Sequence, residues 1–195
     1  VDRDTRAESH DEAECQKHKA ARTADCRERI DPEETPDDER INKGKPQLII
    51  FHLLGQHFQY SSRCKSGMKR FSIKDYTRSD LSDHAKQTIA DYDNATLYND
   101  FVLSKIVERF RNKEAIVVYL SDHGEDCYGK DVDMAGRLTE AENINVKKYH
   151  EEFEIPFWIW CSPAYRQRHH KIFIEIMKAR HNRFMTDDLP HLLLY

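Results

Sequence analysis

A chain of 195 residues, 38% hydrophobic and 34% charged, has room for one ordinary α/β domain with a modest core, and its composition excludes collagen-like, coiled-coil and disulfide-miniprotein classes. Its 31 Lys and Arg against 35 Asp and Glu leave a net charge of -4, too balanced for a broad basic surface, so no nucleic-acid partner is expected. No run approaches the roughly 18 apolar residues of a spanning helix, and the opening VDRDTRAESH has neither the basic start nor the apolar run of a signal peptide.

Residues 1 to 46 hold 14 acids and 10 bases, and the remaining 149 residues carry 21 of each, so the whole imbalance lies in the first segment. With almost no branched aliphatics, that segment cannot bury enough surface to offset the entropy of ordering it. It reads as a charged surface segment or connection, and 47–195 reads as the folded domain. Five cysteines, Cys15, Cys26, Cys64, Cys127 and Cys161, form no C-x-x-C pair, which argues against a zinc ribbon or a thioredoxin-type site. In an oxidising compartment Cys15 with Cys26 is the plausible local disulfide.

The first predicted element is QLIIFHLL (47–54), an apolar run between Pro46 and Gly55 with the form of a buried strand in a parallel sheet. Residues 84–111 follow, with Ile89, Tyr92, Leu97, Phe101, Ile106 and Phe110 near helical spacing, and predict a crossover helix. A second strand, EAIVVYLS (114–121), completes a βαβ unit whose right-handed closure sets both strands parallel with their carboxyl ends on one edge. IPFWIWCS (155–162) is a third strand, and 164–182 reads as a basic amphipathic helix with Ile172, Ile176 and Met177 inward. The sequence stops at HLLLY, an apolar run with the character of domain interior, so a longer protein is expected.

The strongest chemical signal is Ser121-Asp122-His123-Gly124-Glu125 directly after a strand. An Asp and a His at a strand's carboxyl end, followed by a permissive glycine, can face one metal ion, and carboxylate oxygen with imidazole nitrogen suits zinc. The competing reading has Asp122 capping a turn and His123 solvated; Glu125 and Asp126 read as solvated or as partners of the ligands. The second signal is His52-Leu-Leu-Gly-Gln-His57. His57, past the glycine turn, falls on the Asp122–His123 edge, where it could bind a phosphate oxygen, ligate a second metal or protonate a leaving group. His52, inside the strand, reads first as a core histidine. Polar residues on the helix, Tyr92-Asp93-Asn94 and Tyr98-Asn99-Asp100, read as packing and hydrogen bonding rather than catalysis.

FHLLGQHFQYSSRC, ADYDNATLYNDFVLSKIVERF, IVVYLSDHGED, EIPFWIWCSPAY and RFMTDDLPHLLLY resemble, in order and spacing, the catalytic domain of the sulfatase-like phosphoethanolamine transferases. The resemblance covers roughly 46–195. It implies an α/β fold with an alkaline-phosphatase/sulfatase-like sheet flanked by helices, incomplete in this chain. The implied reaction is a Zn2+-dependent transfer of phosphoethanolamine from a phosphatidylethanolamine donor to lipid A or another envelope glycolipid, through a covalent phospho-threonine. The implied place is the periplasmic face of the bacterial inner membrane, with a membrane anchor at the amino-terminal side of the full-length protein. Asp122 and His123 match the family's Asp-His zinc ligands. His57 matches the histidine that holds the phosphoryl group or a second zinc, and His52 occupies the first histidine of that segment.

Two departures stand out. The family takes an acidic zinc ligand and a threonine nucleophile from an upstream strand and helix, but Thr5, Thr23 and Thr35 all sit in charged sequence, so no nucleophile is assigned. Where the family places a histidine after the Asp-His-Gly segment, this chain reads Met134-Ala135-Gly136-Arg137-Leu138, with no histidine until His150; Arg137 could hold phosphate there instead. The alternatives to a transferase are a sulfatase or phosphodiesterase that releases the group to water, and a non-catalytic remnant of the family.

Overall fold

The computed structural model describes residues 44–129, 132–137, 145 and 148–194. The chain divides into two compact units at Leu54/Gly55. The described part of the first unit, 44–54, forms no helix and joins no strand ladder. Leu48 is 72% exposed, with Ile50 and Leu54 also exposed, whereas the alternating Ile49, Phe51 and Leu53 are half-buried. The expected strand at 47–54 therefore shows the alternation of a strand but joins no ladder, and the βαβ unit is not formed among the described residues. A strand needs a neighbour for its amides and carbonyls, and these residues have none in a sheet.

The second unit is built around one long helix, α1 (Asp83–Phe110). Its start is written in the sequence: the Ser82 hydroxyl accepts the Ala85 amide at 3.1 Å, and Asp83 places negative charge in the first turn. Neither glycine nor proline interrupts its 28 residues. The buried face differs from the expected one. Ala85, Ala90, Ala95, Asn94, Asn99, Val102 and Phe110 are buried, and Ile89, Tyr92, Leu97, Phe101 and Ile106 are only half-buried.

Small residues win that face because a folded-back loop, 55–80, has to approach the helix closely. The loop is a series of 3-10 turns at Tyr60–Ser62, Ser66–Met68 and Ile73–Asp75, and buried Tyr60 meets Tyr92 edge-on with ring centroids 5.1 Å apart. Asn94 ties the loop down: its Oδ1 accepts the amides of Arg70 (2.6 Å) and Phe71 (2.9 Å), and its Nδ2 donates to the Phe71 carbonyl at 2.9 Å. Tyr76 adds a hydroxyl bond to Asp93 at 2.6 Å. The helix polar groups thus do the packing and bonding work the sequence suggested for them.

Strand β1 (Ile116–Leu120) pairs with β4 (Phe157–Cys161), and two short strands between them, β2 (Asp126–Cys127) and β3 (Ala135–Gly136), pair with each other. Both pairs are antiparallel, in the registers Val118 with Ile159 and Cys127 with Ala135. The parallel arrangement expected for the strands does not hold for β1 and β4. Among the described residues no α-helix lies between them, and antiparallel neighbours need no crossover helix. Tyr119 and Trp158, cross-strand partners, stack at 5.3 Å.

After β4, fully buried Ser162 accepts the amides of Ala115 and Tyr165, each at 3.1 Å, so one hydroxyl extends the sheet and caps α2 (Pro163–Arg168). The helix expected over 164–182 is two helices, α2 and α3 (His170–Ala179), broken at His169. Ile172 and Met177, expected inward, are exposed, and Ile176 is half-buried. A 3-10 turn at Thr186–Asp188 and a short helix α4 (Leu189–Leu194) end the chain.

Candidate functional site

β1 delivers the Asp-His-Gly turn at its carboxyl end. The Ser121 hydroxyl donates to the His123 carbonyl at 2.6 Å, and the His123 ring reaches the Gly124 carbonyl through Nδ1 at 2.8 Å. A carbonyl oxygen only accepts, so Nδ1 is the donor and, in the neutral ring, Nε2 presents its lone pair. Asp122 Oδ1 lies 3.7 Å from that Nε2. The Asp122 side chain is 85% exposed and that of His123 is 30% exposed, so both reach a solvent-facing edge. A carboxylate oxygen and an imidazole with its other nitrogen held by a carbonyl form a donor pair that fits zinc. They make half of a four-donor set; among the described residues no three His, Cys, Asp or Glu side chains stand close enough to hold one ion.

The turn is seated on the 3-10 turn His150–Glu152. The Gly124 amide donates to the Glu152 carbonyl at 3.0 Å, and a Cβ on Gly124 would stand 1.8 Å from the Glu151 carbonyl oxygen. Only glycine lets the two backbones approach this closely.

His57 follows the Gly55 turn, where φ is +47°. Its side chain is exposed, and its carbonyl accepts Arg63 Nε at 3.2 Å. Among the described residues no hydrogen bond or ion pair joins its ring to Asp122 or His123. The connection runs instead through α1: Gln56 Nε2 donates to Thr96 Oγ1 at 3.1 Å, and Asn99 Nδ2 lies 3.5 Å from Gln56 Oε1 and donates to the Tyr119 hydroxyl at 3.1 Å. Asn99 thus joins the His57 turn to β1. His52 lies in the described part of the first unit and is exposed. Arg137 is exposed directly after β3.

Behind the turn lies a polar cluster that sequence reasoning did not foresee. Cys127 of β2 is pushed up to about 12 by burial and by the nearby Asp93 and Glu125 carboxylates, so its thiol stays protonated and is no nucleophile. Burial first, then Glu125, raises Tyr92 to about 12. Asp126, read from sequence as solvated or as a partner of the ligands, is fully buried, and among the described residues its carboxylate has no hydrogen-bond partner beyond the nearby Gly129 amide. Its only sequence sign was membership of a two-residue strand in a polar run, too short to show alternation. Arg78 closes the far side, giving Nη1 to the Tyr128 carbonyl at 2.6 Å. Cys64, Cys127 and Cys161 are free thiols; Cys15 and Cys26 lie outside the described residues, as do most of 1–46.

The sequence profile of the Sulfatase family matches residues 37–194. Phosphoethanolamine transferase EptC of Escherichia coli K12 is 32% identical over 151 residues, covering 75% of this chain and 25% of that protein. The Kdo(2)-lipid A phosphoethanolamine 7''-transferase of the same organism is 29% identical over 128 residues, covering 64% of this chain and 21% of the relative. Among solved structures, the C-terminal periplasmic domain of EcEptC from Escherichia coli superposes with a TM-score of 0.56 at 31% identity, over 67% of this chain and 37% of that one. The chain spans about a quarter of the length of the curated relatives it matches.

Proposed function

Because this chain belongs to the sulfatase family, with its helices and small sheets forming part of a sulfatase-like α/β fold, we propose that it supplies one part of the catalytic domain of a phosphoethanolamine transferase. The donor in this reading is phosphatidylethanolamine, the acceptor is lipid A or a related envelope glycolipid, and the reaction takes place on the periplasmic face of the inner membrane. Relatives named for lipid A transfer and structural neighbours titled as periplasmic domains support it. Among the described residues no helix is long and apolar enough to cross a membrane.

The observation that carries the proposal is the Asp122–His123 pair, 3.7 Å apart with the imidazole proton held on Nδ1. Bound zinc supplies Lewis acidity toward a phosphoryl oxygen and lowers the pKa of a coordinated hydroxyl. Asp122 and His123 hold it. The Gly124 carbonyl holds the His123 ring through Nδ1, which turns Nε2 outward as the donor atom for the metal. In this reading the exposed His57 and Arg137 donate to the phosphoryl oxygens. The nucleophile in this reading is a threonine, whose oxygen bonds to phosphorus as the diacylglycerol oxygen leaves and takes up a proton. The acceptor oxygen then displaces the threonine. Thr88 and Thr96 are poor candidates, since each spends its hydroxyl on a carbonyl of its own helix at 3.0 Å.

The test is zinc stoichiometry and transfer from a labelled phosphatidylethanolamine in the full-length protein, comparing wild type with Asp122→Ala and His123→Ala. Loss of zinc and of transfer in both variants is expected. Retained zinc in both, or release of the labelled group to water at the wild-type rate without an acceptor, overturns the reading.

A further inference from the structure

Asp126 is fully buried, and among the described residues its carboxylate oxygens have no hydrogen-bond partner beyond the nearby Gly129 amide. An ionised carboxylate in that state is among the most expensive groups a fold can contain. Its surroundings make matters worse. Asp126 Oδ1 and Glu151 Oε1 both lie beside Gly129, 2.7 and 3.8 Å from where a Cβ on that glycine would stand, and the charge of Glu151 acts against a charge on Asp126. Buried Glu152 comes from the same turn and also acts against a charge on Asp126. His150 and the Gly129 amide act the other way, but the His150 ring is engaged by Glu151 Oε2 at 2.9 Å. From α1, the charge of Asp93 bears on Cys127, the next residue of β2. Burial is the largest influence and Glu151 the next, and both raise the carboxyl above its ordinary 3.8.

The elements that meet at Asp126 are the ones that position the metal-binding pair. The segment 121–129 runs from Asp122 and His123 to Asp126, and its Gly124 is pressed on the carbonyls of Glu151 and Glu152. We propose that Asp126 is a positioning residue for Asp122 and His123: as the uncharged acid it lets their turn close on the 150–152 turn, and its ionisation opposes that closure. The uncharged form removes the repulsion from Glu151. Ionisation gives the proton to water and leaves a second carboxylate charge beside that of Glu151, with no ion pair to Asp126 among the described residues. The significance of the closure for catalysis rests on the proposed transferase reading; the closure itself does not.

Hydrogen exchange on the full chain, without metal or substrate, tests the closure separately from the chemistry. The readout is protection of the Gly124 amide, corrected for the intrinsic pH dependence of exchange. In wild type, protection falls at least about tenfold as pH rises from about 4 to 8, and in Asp126→Asn it keeps its acid value throughout. Glu151→Gln removes the neighbouring charge and moves the wild-type transition to lower pH, a shift that loss of a purely structural contact does not produce. Equal pH dependence in wild type and Asp126→Asn overturns the proposal. If Asp126→Asn does not fold by circular dichroism, an unmoved transition in Glu151→Gln overturns it instead. Loss of zinc binding in Asp122→Ala leaves this result untouched, so the two readings fail separately.

Discussion

The carbonyl oxygen of Glu151 lies 1.8 Å from where a Cβ on Gly124 would stand. Neither partner in that contact is a mobile side-chain end, since the obstacle is the backbone of the 150–152 turn, which also accepts the Gly124 amide through Glu152. Gly124→Ala must therefore separate the two turns and costs about 2 to 3 kcal/mol. Urea denaturation measures it. An unchanged midpoint would show that the turns are not pressed together.

Asn94 makes three hydrogen bonds from a buried position, all to the backbone of Arg70 and Phe71. Asn94→Ala leaves two amides and a carbonyl without partners and opens a small void, for a loss of about 2 to 4 kcal/mol. Proteolysis is the sharper probe, since cleavage in the 65–75 loop rises well before α1 melts. Asn94→Asp keeps both accepted bonds and loses the donated one, so its loss is smaller than that of Ala. A loop equally protected in wild type and Asn94→Ala would sink the idea that this side chain holds it.

α1, β1 and β4 were legible because each carries its own signal: a serine cap before a long run free of glycine and proline, and two runs of five apolar residues with clear ends. The Asp122–His123 placement at the end of β1 followed from the same run. The strand over 47–54 misled because hydropathy reports the readiness of a segment to pair and says nothing of a partner, and its alternating exposure shows that readiness unspent. The antiparallel pairing of β1 with β4 was hidden in a connection lacking the helical period that a parallel crossover requires. Burial of Asp126 could not be read at all. It arises from a glycine at 129 and a turn at 150–152, more than twenty residues apart in sequence, whose meeting is a tertiary fact.

Glu114 supports α2 from the edge of the sheet. It accepts His169 Nε2 at 2.7 Å and Arg168 Nη1 at 2.9 Å, and the His169 bond, followed by that of Arg168, holds its carboxyl below the ordinary 4.5. A depressed carboxyl contributes stability that is present above its unfolded value and is lost as pH falls through the folded one. The melting temperature of Glu114→Gln should thus lie below that of wild type at pH 6, with the gap closing as pH drops under about 4. The group is exposed, so the gap is small and shrinks in high salt. A gap that persists at pH 3 would mean the side chain acts through packing rather than charge.

Asp126 has the opposite sign. Its folded carboxyl is raised above 3.8 by burial and then by Glu151, so the fold binds its proton more tightly than the unfolded chain does. Stability from this group is complete below the unfolded value and is lost as pH climbs through the folded one. Asp126→Asn is fixed in the uncharged state and has no such loss. Near pH 4 the variant should match wild type or fall slightly below it, because an amide is a poor copy of a carboxylic acid. At pH 8 it should be more stable by about 1 to 3 kcal/mol, the cost of one buried group without partners. Urea denaturation at the two pH values decides it. A variant less stable than wild type at both, by the same amount, would mean that Asp126 is ionised and satisfied by a partner throughout.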